Sequence, residues 1–295
     1  MITLKNIIEY FYNLKIDTLH KNASRYEFEI KGNFFYLVLS TRYEIELEEI
    51  ENLIKNDLNF EHIVSNINSK LITNINGREY LLIKANNRKI SIENELLNYY
   101  KVLLPVQLYS NIDRTNWVYL WSKKIDYIEY QKKHLKGEYP LLEESINYFI
   151  GMAENAIMYV RNYLKRDNTS DDIVLSHKRI INKNFNSPVN LIVDHRSRDI
   201  AEYLKYLFFT NNYDYIKISS YLQKLNLNND MYKLLYGRML FPTFYFDKYD
   251  DIVNKNTPEK EILTIIKKVE AYEDFLKNIY SIISQNVAIK KVDWL

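Results

Sequence analysis

The sequence predicts an α+β protein in which a small lobe with an antiparallel sheet precedes a larger helical lobe. Three observations lead to this prediction. Residues 26–85 alternate between apolar and polar types and contain turn signals, whereas apolar residues recur every three to four positions after Ile92. Two short apolar segments interrupt the helical pattern between residues 172 and 205. We therefore expect two domains, residues 1–86 and 87–295.

The small lobe is expected to contain two strand pairs separated by an acidic helix. The pairs Gly32-Asn33 and Asn76-Gly77 mark tight turns, because these residue types accept the backbone angles that such turns require. The predicted elements are an amphipathic helix over 2–15, a hairpin over 26–40, an acidic helix from about Glu44 to Leu58 and a strand pair over 63–85.

The larger lobe is predicted to be almost wholly helical. Ile146, Phe149, Ile150 and Ala153 keep the spacing of one apolar helix face. The predicted helices cover residues 92–104, 114–136, 142–165, 199–209, 214–225, 230–247 and 258–284.

Composition excludes several classes of protein and site. The chain has 295 residues, of which 47% are hydrophobic, and its formal net charge of +2 gives no basic field for nucleic acid. It contains no cysteine, so neither a disulfide nor a thiolate metal site is available. The first residues lack the apolar core of a signal peptide, and no apolar run approaches the roughly 18 residues that span a bilayer. We therefore expect a cytoplasmic protein that has no membrane span and binds no nucleic acid.

The residues that suggest chemistry lie in the stretch 172–205. Two short apolar strands each deliver polar side chains at their carboxyl ends here. The first strand leads to His177 and Arg179, and the second leads directly to Asp194. We expect the strand ends to bring His177 and Asp194 close together, because a rigid scaffold commonly positions functional residues in this way.

This pattern of strand, His-x-x, polar connection, strand-Asp and the helix RDIAEYLK resembles the catalytic and metal loops of the aminoglycoside phosphotransferase and choline kinase branch of kinase-like folds. More narrowly, the chain resembles the YutH-type spore coat proteins of the CotS group in bacilli. The resemblance implies a bilobal kinase-like fold. The segments that carry the narrower likeness are YFIGMAENAIMYV (148–160), VDHRSRDIAEYLK (193–205), LLYGRMLFPTFYFD (234–247) and the terminal VDWL.

A kinase of this branch would need a phosphate-binding glycine loop and a lysine on the strand before the acidic helix. Gly32 is the only glycine of the predicted first hairpin, and the strand FFYLVLS contains no lysine. Lys84 matches a lysine motif by its letters, LLIK, but ends the strand that leads to the hinge. Lys84 is therefore a weakly supported nucleotide-binding candidate, and the alternative is an ordinary solvated lysine.

The catalytic-loop triplet lacks the carboxylate that the resemblance would require there. Arg179 takes that position, and a guanidinium accepts no proton and brings positive charge where a base is needed. We interpret His177 and Arg179 as degenerate, inactive positions of a catalytic loop. Alternatively, His177 is a loop histidine bonded to backbone, and Arg179 pairs with Asp194 or Asp199 in place of Mg²⁺.

Two residues would hold a metal if a nucleotide binds. Asn184 lies seven residues after His177, which matches the metal-binding Asn of the family, although the stretch is rich in asparagine. Asp194 follows an apolar strand directly, as the metal-binding Asp of the family does. The alternative is that Asp194 is a loop carboxylate with an internal ionic partner, the candidates being His195, Arg196 and Arg198.

Asp199 and Glu202 are predicted to be structural residues. Their three-residue spacing before an apolar helix is typical of a capped helix N-terminus. The resemblance implies that Asp199 also braces the catalytic loop, which agrees with a structural role.

These observations together indicate a pseudokinase, that is, a binding or structural protein. The resemblance implies that it acts with other spore coat components during coat assembly. No cofactor is expected in that case, and the protein would lie in the cytoplasm, or in the spore coat if the organism sporulates. The alternative is an atypical phosphotransferase that uses Mg²⁺ and ATP on a small-molecule or protein hydroxyl, with Asp194 binding the metal. A further alternative retains nucleotide as a regulatory ligand without turnover.

Overall fold

The computed structural model describes residues 3–22, 25–86, 91–99, 111–135, 137–164, 173–180 and 185–295. The chain divides into two units, each of which is discontinuous in sequence. The lobe boundary near residue 86 stays a prediction, because each unit draws on several separate stretches of the chain. Unit 1 is drawn from Met1–Glu95, Val106–Asp113 and Leu175–Val193, and unit 2 from Leu96–Pro105, Arg114–Val174 and Asp194–Leu295.

Unit 1 is built on an antiparallel sheet with strand order β1-β2-β3-β6-β4, in which β5 also pairs with β6. The helices α1 (Leu4–Tyr12) and α2 (Glu44–Ile54) belong to the same unit. The strands are β1 (His20–Asn22), β2 (Arg25–Ile30), β3 (Asn33–Leu39), β4 (His62–Ile63), β5 (Ile72–Ile75) and β6 (Arg78–Lys84).

Tight turns set the register of this sheet. Asn76 and Gly77 both have positive φ, 52° and 78°, which is the geometry of a two-residue hairpin turn, so the predicted turn is confirmed. The first predicted hairpin also forms, but it turns at Lys31-Gly32, one residue earlier than predicted. The sequence pattern missed β1, because all three of its residues are exposed and show no alternation.

Both faces of the sheet carry a hydrophobic core, because side chains alternate across each strand. Leu37 and Leu82 pack on one face with Ile8 of α1. Leu81 packs on the opposite face with Leu47 of α2. The two helices thus cover apolar side chains that a single layer would leave in water.

Unit 2 is mainly helical. Among the described residues of the chain, no helix combines the length and the apolar character needed to cross a membrane. The helices that lie in unit 2 are α4 (Trp117–His134), α5 (Pro140–Arg161), α6 (Ser197–Phe209), α7 (Tyr215–Leu225), α8 (Asn229–Leu240), α9 (Thr243–Val253), α10 (Leu263–Ile266) and α11 (Val269–Ser284), with a 3₁₀ turn at Glu259–Ile262.

Three further elements complete the chain order. Helix α3 spans Ile92–Tyr99, and a short 3₁₀ turn spans Pro188–Asn190. Strands β7 (Ile173–His177) and β8 (Leu191–His195) form a two-stranded sheet, and the division between the units falls inside both strands. The predicted pair of short strands between residues 172 and 205 is therefore confirmed.

Two helices that were predicted to be continuous are each divided into shorter elements. The predicted helix 230–247 is broken into α8 and α9, because Pro242 lacks the N–H that a continuous helix would use and stands at the start of α9. The predicted helix 258–284 is divided into a 3₁₀ turn, α10 and α11. The small antiparallel sheet and the large helical part nevertheless confirm the predicted α+β class.

The contact between α5 and α8 depends on a glycine. A Cβ placed on Gly237 would lie 2.3 Å from Cγ1 of Val160 and 3.0 Å from Cδ1 of Tyr159. Real Cβ atoms do not approach neighbours at the shorter distance, so α8 comes closer to α5 here than any side chain would permit.

Candidate functional site

Strand β8 and helix α6 place Asp194 inside the core of unit 2. All five residues of β8 are buried, which explains why its sequence is apolar up to the aspartate. Helix α6 begins at Ser197, so Arg198 lies in its first turn, four residues after Asp194. The Arg198 side chain can therefore reach back to the carboxylate.

Both carboxylate oxygens of Asp194 accept hydrogen bonds. Oδ1 accepts one from Nε1 of Trp117 at 2.8 Å and one from the backbone N–H of His195 at 2.7 Å. Oδ2 accepts one from Nη1 of Arg198 at 2.6 Å. Asp194 is 0% and Arg198 7% exposed, so the two side chains form a buried ion pair. Of the partners predicted for Asp194 as a loop carboxylate, Arg198 is the one that the structure places there.

Trp117 connects this ion pair to a second group of buried charges. Its ring stacks on Trp121, with centroids 5.3 Å apart. The guanidinium carbon of Arg238 lies 5.3 Å from the Trp117 ring and 5.5 Å from the Trp121 ring. The two indoles therefore present their faces to a cation while Nε1 of Trp117 binds an anion.

Glu202 is the carboxylate of this second group. Its Oε1 accepts a hydrogen bond from Nε of Arg238 at 2.9 Å and lies 3.6 Å from Nζ of Lys205. Lys205 also donates to the carbonyl of Phe241 at 2.9 Å and to Oγ1 of Thr243 at 3.1 Å. Polar contacts thus run through the core of unit 2 from Arg198 to the start of α9.

The capping roles predicted for Asp199 and Glu202 are wrong. Helix α6 begins two residues before Asp199, its N-cap position is Arg196, and no side chain caps it. Asp199 is fully buried within the first turn, and Glu202 lies in the helix interior with Arg238. Both side chains are buried in the core, whereas the side chain of a capping residue would lie at the end of the helix.

His177 is the last residue of β7 and is fully buried. Its ring stacks on Phe185, with centroids 4.0 Å apart and planes 23° apart. Because His177 belongs to unit 1 and Asp194 to unit 2, their expected proximity stays a prediction.

Arg179 lies in the connection after β7, where Asn190 holds its backbone. Oδ1 of Asn190 accepts a hydrogen bond from the backbone N–H of Arg179 at 3.0 Å. Nδ2 of Asn190 donates a hydrogen bond to the backbone carbonyl of Arg179 at 2.9 Å. The Arg179 guanidinium donates from Nη1 to the carbonyl of Lys178 at 2.6 Å. Its predicted ion pair with Asp194 or Asp199 stays a prediction, and Asn184 lies outside the described residues.

Lys84 ends β6 and is exposed. Its backbone is in register with Phe35 of β3 on one side and His62 of β4 on the other. The strand that precedes α2 is β3, whose sequence NFFYLVL contains no lysine. Lys84 thus occupies the strand that the sequence indicated, and nucleotide binding by it stays a prediction.

No group of three or more His, Asp or Glu side chains that could hold a metal ion occurs in the described part of the chain. The predicted metal ligand Asp194 accepts hydrogen bonds from Trp117, Arg198 and the backbone of His195, and metal binding by it stays a prediction.

Sequence reasoning missed several residues that organise the two units. Arg238 has one usable signal, because a lone arginine inside the apolar run LLYGRML indicates a buried, paired charge. Asn190 has none, since its partner is the backbone of Arg179. Lys205 follows Glu202 by three residues, but its hydrogen bonds go to Phe241 and Thr243, which lie far away in the sequence.

Arg42 was also missed. It is 4% exposed and immediately precedes Tyr43, the N-cap residue of α2. Its Nε donates to the carbonyl of Val189 at 3.0 Å, and its Nη2 donates to the carbonyl of Leu191. Within unit 1, Arg42 therefore attaches the beginning of α2 to the segment that enters β8.

The fold of this chain is that of the aminoglycoside phosphotransferases and choline kinases. An aminoglycoside phosphotransferase from Alicyclobacillus acidocaldarius subsp. acidocaldarius DSM 446 superposes with a TM-score of 0.63 at 10% identity, over 97% of this chain and 98% of that chain. Choline kinase LicA from Streptococcus pneumoniae gives a TM-score of 0.57 at 8% identity, over 94% and 98% of the two chains. These similarities define a protein with a kinase-like fold.

The chain belongs to the family described as "Spore coat putative kinase YutH", whose model matches residues 5–279. The "Endospore coat-associated protein YutH" of Bacillus subtilis (strain 168) is 25% identical over 333 aligned residues, which cover 99% of this chain and 98% of that protein. The resemblance drawn from the central and carboxyl-terminal segments is therefore confirmed.

Proposed function

We propose that this protein is a pseudokinase of the spore coat, with a structural or partner-binding role in coat assembly. The observation that carries the proposal is the buried ion pair between Asp194 and Arg198. The resemblance assigns a metal to Asp194, and in this chain a guanidinium occupies its Oδ2.

The surroundings of Asp194 do not fit Mg²⁺. Magnesium requires octahedral oxygen ligation at about 2.0–2.1 Å and usually keeps several waters. Both oxygens of Asp194 already accept hydrogen bonds, and the residue is fully buried. A magnesium ion at Oδ2 would displace Arg198 and would leave a second buried cation beside it. We therefore assign no step of phosphoryl transfer to this residue.

The amino-terminal part of the chain supports the same proposal. Phosphoryl transfer depends on positioning the phosphates with backbone N–H groups and a lysine. Strand β3 supplies no lysine, and Gly32 is the only glycine of the β2–β3 hairpin. The lysine that the family resemblance would require is therefore missing from its expected strand, and the glycine loop is reduced to a single glycine.

Membership of a spore coat family supports the proposed location and the expectation of protein partners. A coat component needs surfaces for other coat proteins rather than turnover. We propose accordingly that no cofactor is required for the role of this protein.

A thermal unfolding titration with Mg²⁺·ATP tests the pseudokinase proposal. A ligand at 100 times its Kd stabilises the state that binds it by about 2.7 kcal/mol, so binding would raise the Tm measurably. We expect no rise with Mg²⁺·ATP beyond that given by Mg²⁺ alone. An active aminoglycoside phosphotransferase measured in parallel serves as the positive control. A saturable rise, followed by transfer of the γ-phosphate to an acceptor, would instead establish the atypical phosphotransferase.

A separate experiment tests the coat role. A fluorescent fusion of this chain, produced in sporulating Bacillus subtilis, is expected to accumulate at the coat and to be extracted with the coat fraction. A fusion that stays evenly distributed in the mother cell would contradict the coat role without affecting the nucleotide result.

A further inference from the structure

Helix α4 exposes a tyrosine-rich face. Tyr119, Tyr127 and Tyr130 are 57%, 51% and 60% exposed. The opposite side of the same helix is buried through Trp117 and Trp121. Isolated exposed aromatic residues are common on protein surfaces, but three on one side of one helix are a concentration of exposed aromatic rings.

Two opposite charges lie between these tyrosines. At 100° per residue, Tyr119, Lys123, Asp126 and Tyr130 fall within an arc of about 60° and extend over about 16 Å of the helix. Lys123 and Asp126 are exposed, and within the described residues neither of them takes part in an ion pair. Nζ of Lys123 lies 5.9 Å from the Tyr119 ring.

The order of these four side chains is self-complementary. If a second helix lies antiparallel, with a two-fold axis between residues 124 and 125, Tyr119 faces Tyr130 and Lys123 faces Asp126. The two-fold operation produces each of these contacts twice, as an isologous interface requires. We propose that this face of α4 binds the same face of a second copy of the chain and forms a symmetric dimer.

The charges on this face of α4 favour a second copy of the chain over a different binding partner. The face presents one positive and one negative group at its centre, so a uniformly acidic or basic partner would oppose one of them. A second copy in the antiparallel arrangement satisfies both. Tyrosine is enriched at protein interfaces, because its ring is apolar while its hydroxyl tolerates water. One helix pair buries a small area, so the expected dimer is weak and depends on concentration.

Charge reversal tests the proposed pairing. Lys123→Asp places like charges opposite each other at two points, and Asp126→Lys does the same with the opposite sign. Each single variant is expected to raise the dimer Kd by about tenfold or more, which corresponds to about 1.4 kcal/mol or more. The double variant K123D/D126K restores opposite charges at both points and is expected to restore the dimer. Sedimentation velocity over a wide concentration range measures all three.

A matched control is available on α11. Lys277 and Asp274 are also exposed, opposite in charge and three residues apart. Lys277→Asp is expected to leave the dimer Kd unchanged. A wild-type chain that stays monomeric at every concentration would overturn the proposal. So would a dimer that is insensitive to K123D, or one that is weakened equally by the control.

Cross-linking gives an independent test that does not depend on charge. The chain has no cysteine, so each introduced thiol is unique. A mixture of Tyr119→Cys and Tyr130→Cys chains is expected to cross-link through a short bis-maleimide faster than either variant alone, because residue 119 faces residue 130 of the other copy. Equal rates in the mixture and in the separate samples would contradict this register.

Discussion

At the scale of single residues, the unusual feature is an aspartate at the end of a strand that is neutralised by an arginine in the first turn of the following helix. Burying one charge is costly, and burying a close pair with further hydrogen bonds recovers much of that cost. Asp194 has such a pair in Arg198 and further donors in Trp117 and the backbone of His195. These contacts support the proposal that the carboxylate which the family resemblance assigns to metal has a structural role.

This arrangement predicts the effect of removing the arginine. Arg198→Ala leaves the buried Asp194 carboxylate without its cation and is expected to lower the free energy of unfolding by about 3–5 kcal/mol. Urea unfolding followed by circular dichroism measures the loss. Asp194→Asn in the Arg198→Ala background is expected to recover part of it, because a neutral amide is less costly to bury alone.

Lys277→Ala provides the control, because Lys277 forms an ion pair with a nearby residue, as Arg198 does, but on the surface. Lys277 and Asp274 lie 2.9 Å apart but are 50% and 70% exposed, so water already solvates both charges. The expected change in unfolding free energy is within about 0.5 kcal/mol. If Arg198→Ala caused an equally small change, the Asp194–Arg198 pair would not be a structural element of the core.

At the scale of secondary-structure elements, the α5–α8 contact depends on the missing side chain of Gly237. Gly237→Ala would place a methyl group 2.3 Å from Val160. We expect a loss of about 1–3 kcal/mol in unfolding free energy from overpacking, measured by thermal or urea unfolding. Val160→Ala should relieve the clash, so the double variant G237A/V160A is expected to be more stable than the sum of the two single effects implies.

Gly151 gives the matched comparison, because it lies within α5 and a Cβ there would meet nothing within 4 Å. Gly151→Ala is expected to stabilise the protein by about 0.5–1 kcal/mol, since alanine loses less backbone freedom in a helix. Destabilisation of similar size by both substitutions would contradict the packing explanation for Gly237.

The elements also show what sequence could predict. Asn76-Gly77 fixes its own turn locally, and the apolar period of α5 gives a helix without knowledge of its neighbours. The start of α6 could not be placed in this way. Asp199 has the composition of a helix cap, but the helix already begins at Ser197 and Asp199 is buried inside the first turn.

The same limit applies to the candidate site. An aspartate at the end of a buried strand was predictable from the apolar run before it. The sequence offered three cationic partners for Asp194, namely His195, Arg196 and Arg198, and did not distinguish between them. The pairing of Glu202 with Arg238, 36 residues later, depends on the packing of α6 against α8, which no local pattern encodes.

At the scale of the whole molecule, one half-buried carboxyl is expected to make stability depend on pH. Burial raises the pKa of Glu61 above its ordinary value of 4.5. Oη of Tyr36 donates to Oε2 of Glu61 at 2.5 Å and lies 3.2 Å from Oγ of Ser187, while the Arg25 guanidinium carbon lies 4.6 Å from the Tyr36 ring. Desolvation outweighs the Tyr36 hydrogen bond and the Arg25 charge, which both lower the pKa of Glu61, so the folded state binds the Glu61 proton more tightly than the unfolded chain does.

The sign of the effect follows from this difference. The stabilisation due to the Glu61 proton is fully present below pH 4.5 and is lost as the pH rises through the folded-state pKa. Glu61→Gln should remove this dependence, so the stability of the wild type relative to E61Q is expected to fall over that range. Urea unfolding of both proteins at a series of pH values measures the difference. Glu48→Gln, on the exposed side of α2, is the control and should leave the wild-type profile unchanged.

The attachment of Arg42 to Val189 and Leu191 has a consequence for biosynthesis. A ribosome releases the six strands of the unit 1 sheet long before it has made the carbonyls that accept from this arginine. The hydrogen bonds of Arg42 to Val189 and Leu191 can therefore form only after most of the polypeptide has been synthesised. Gene fragments that end after the first helix-and-sheet segment would therefore yield an incomplete module, and searches for coat partners should use the full-length chain as bait.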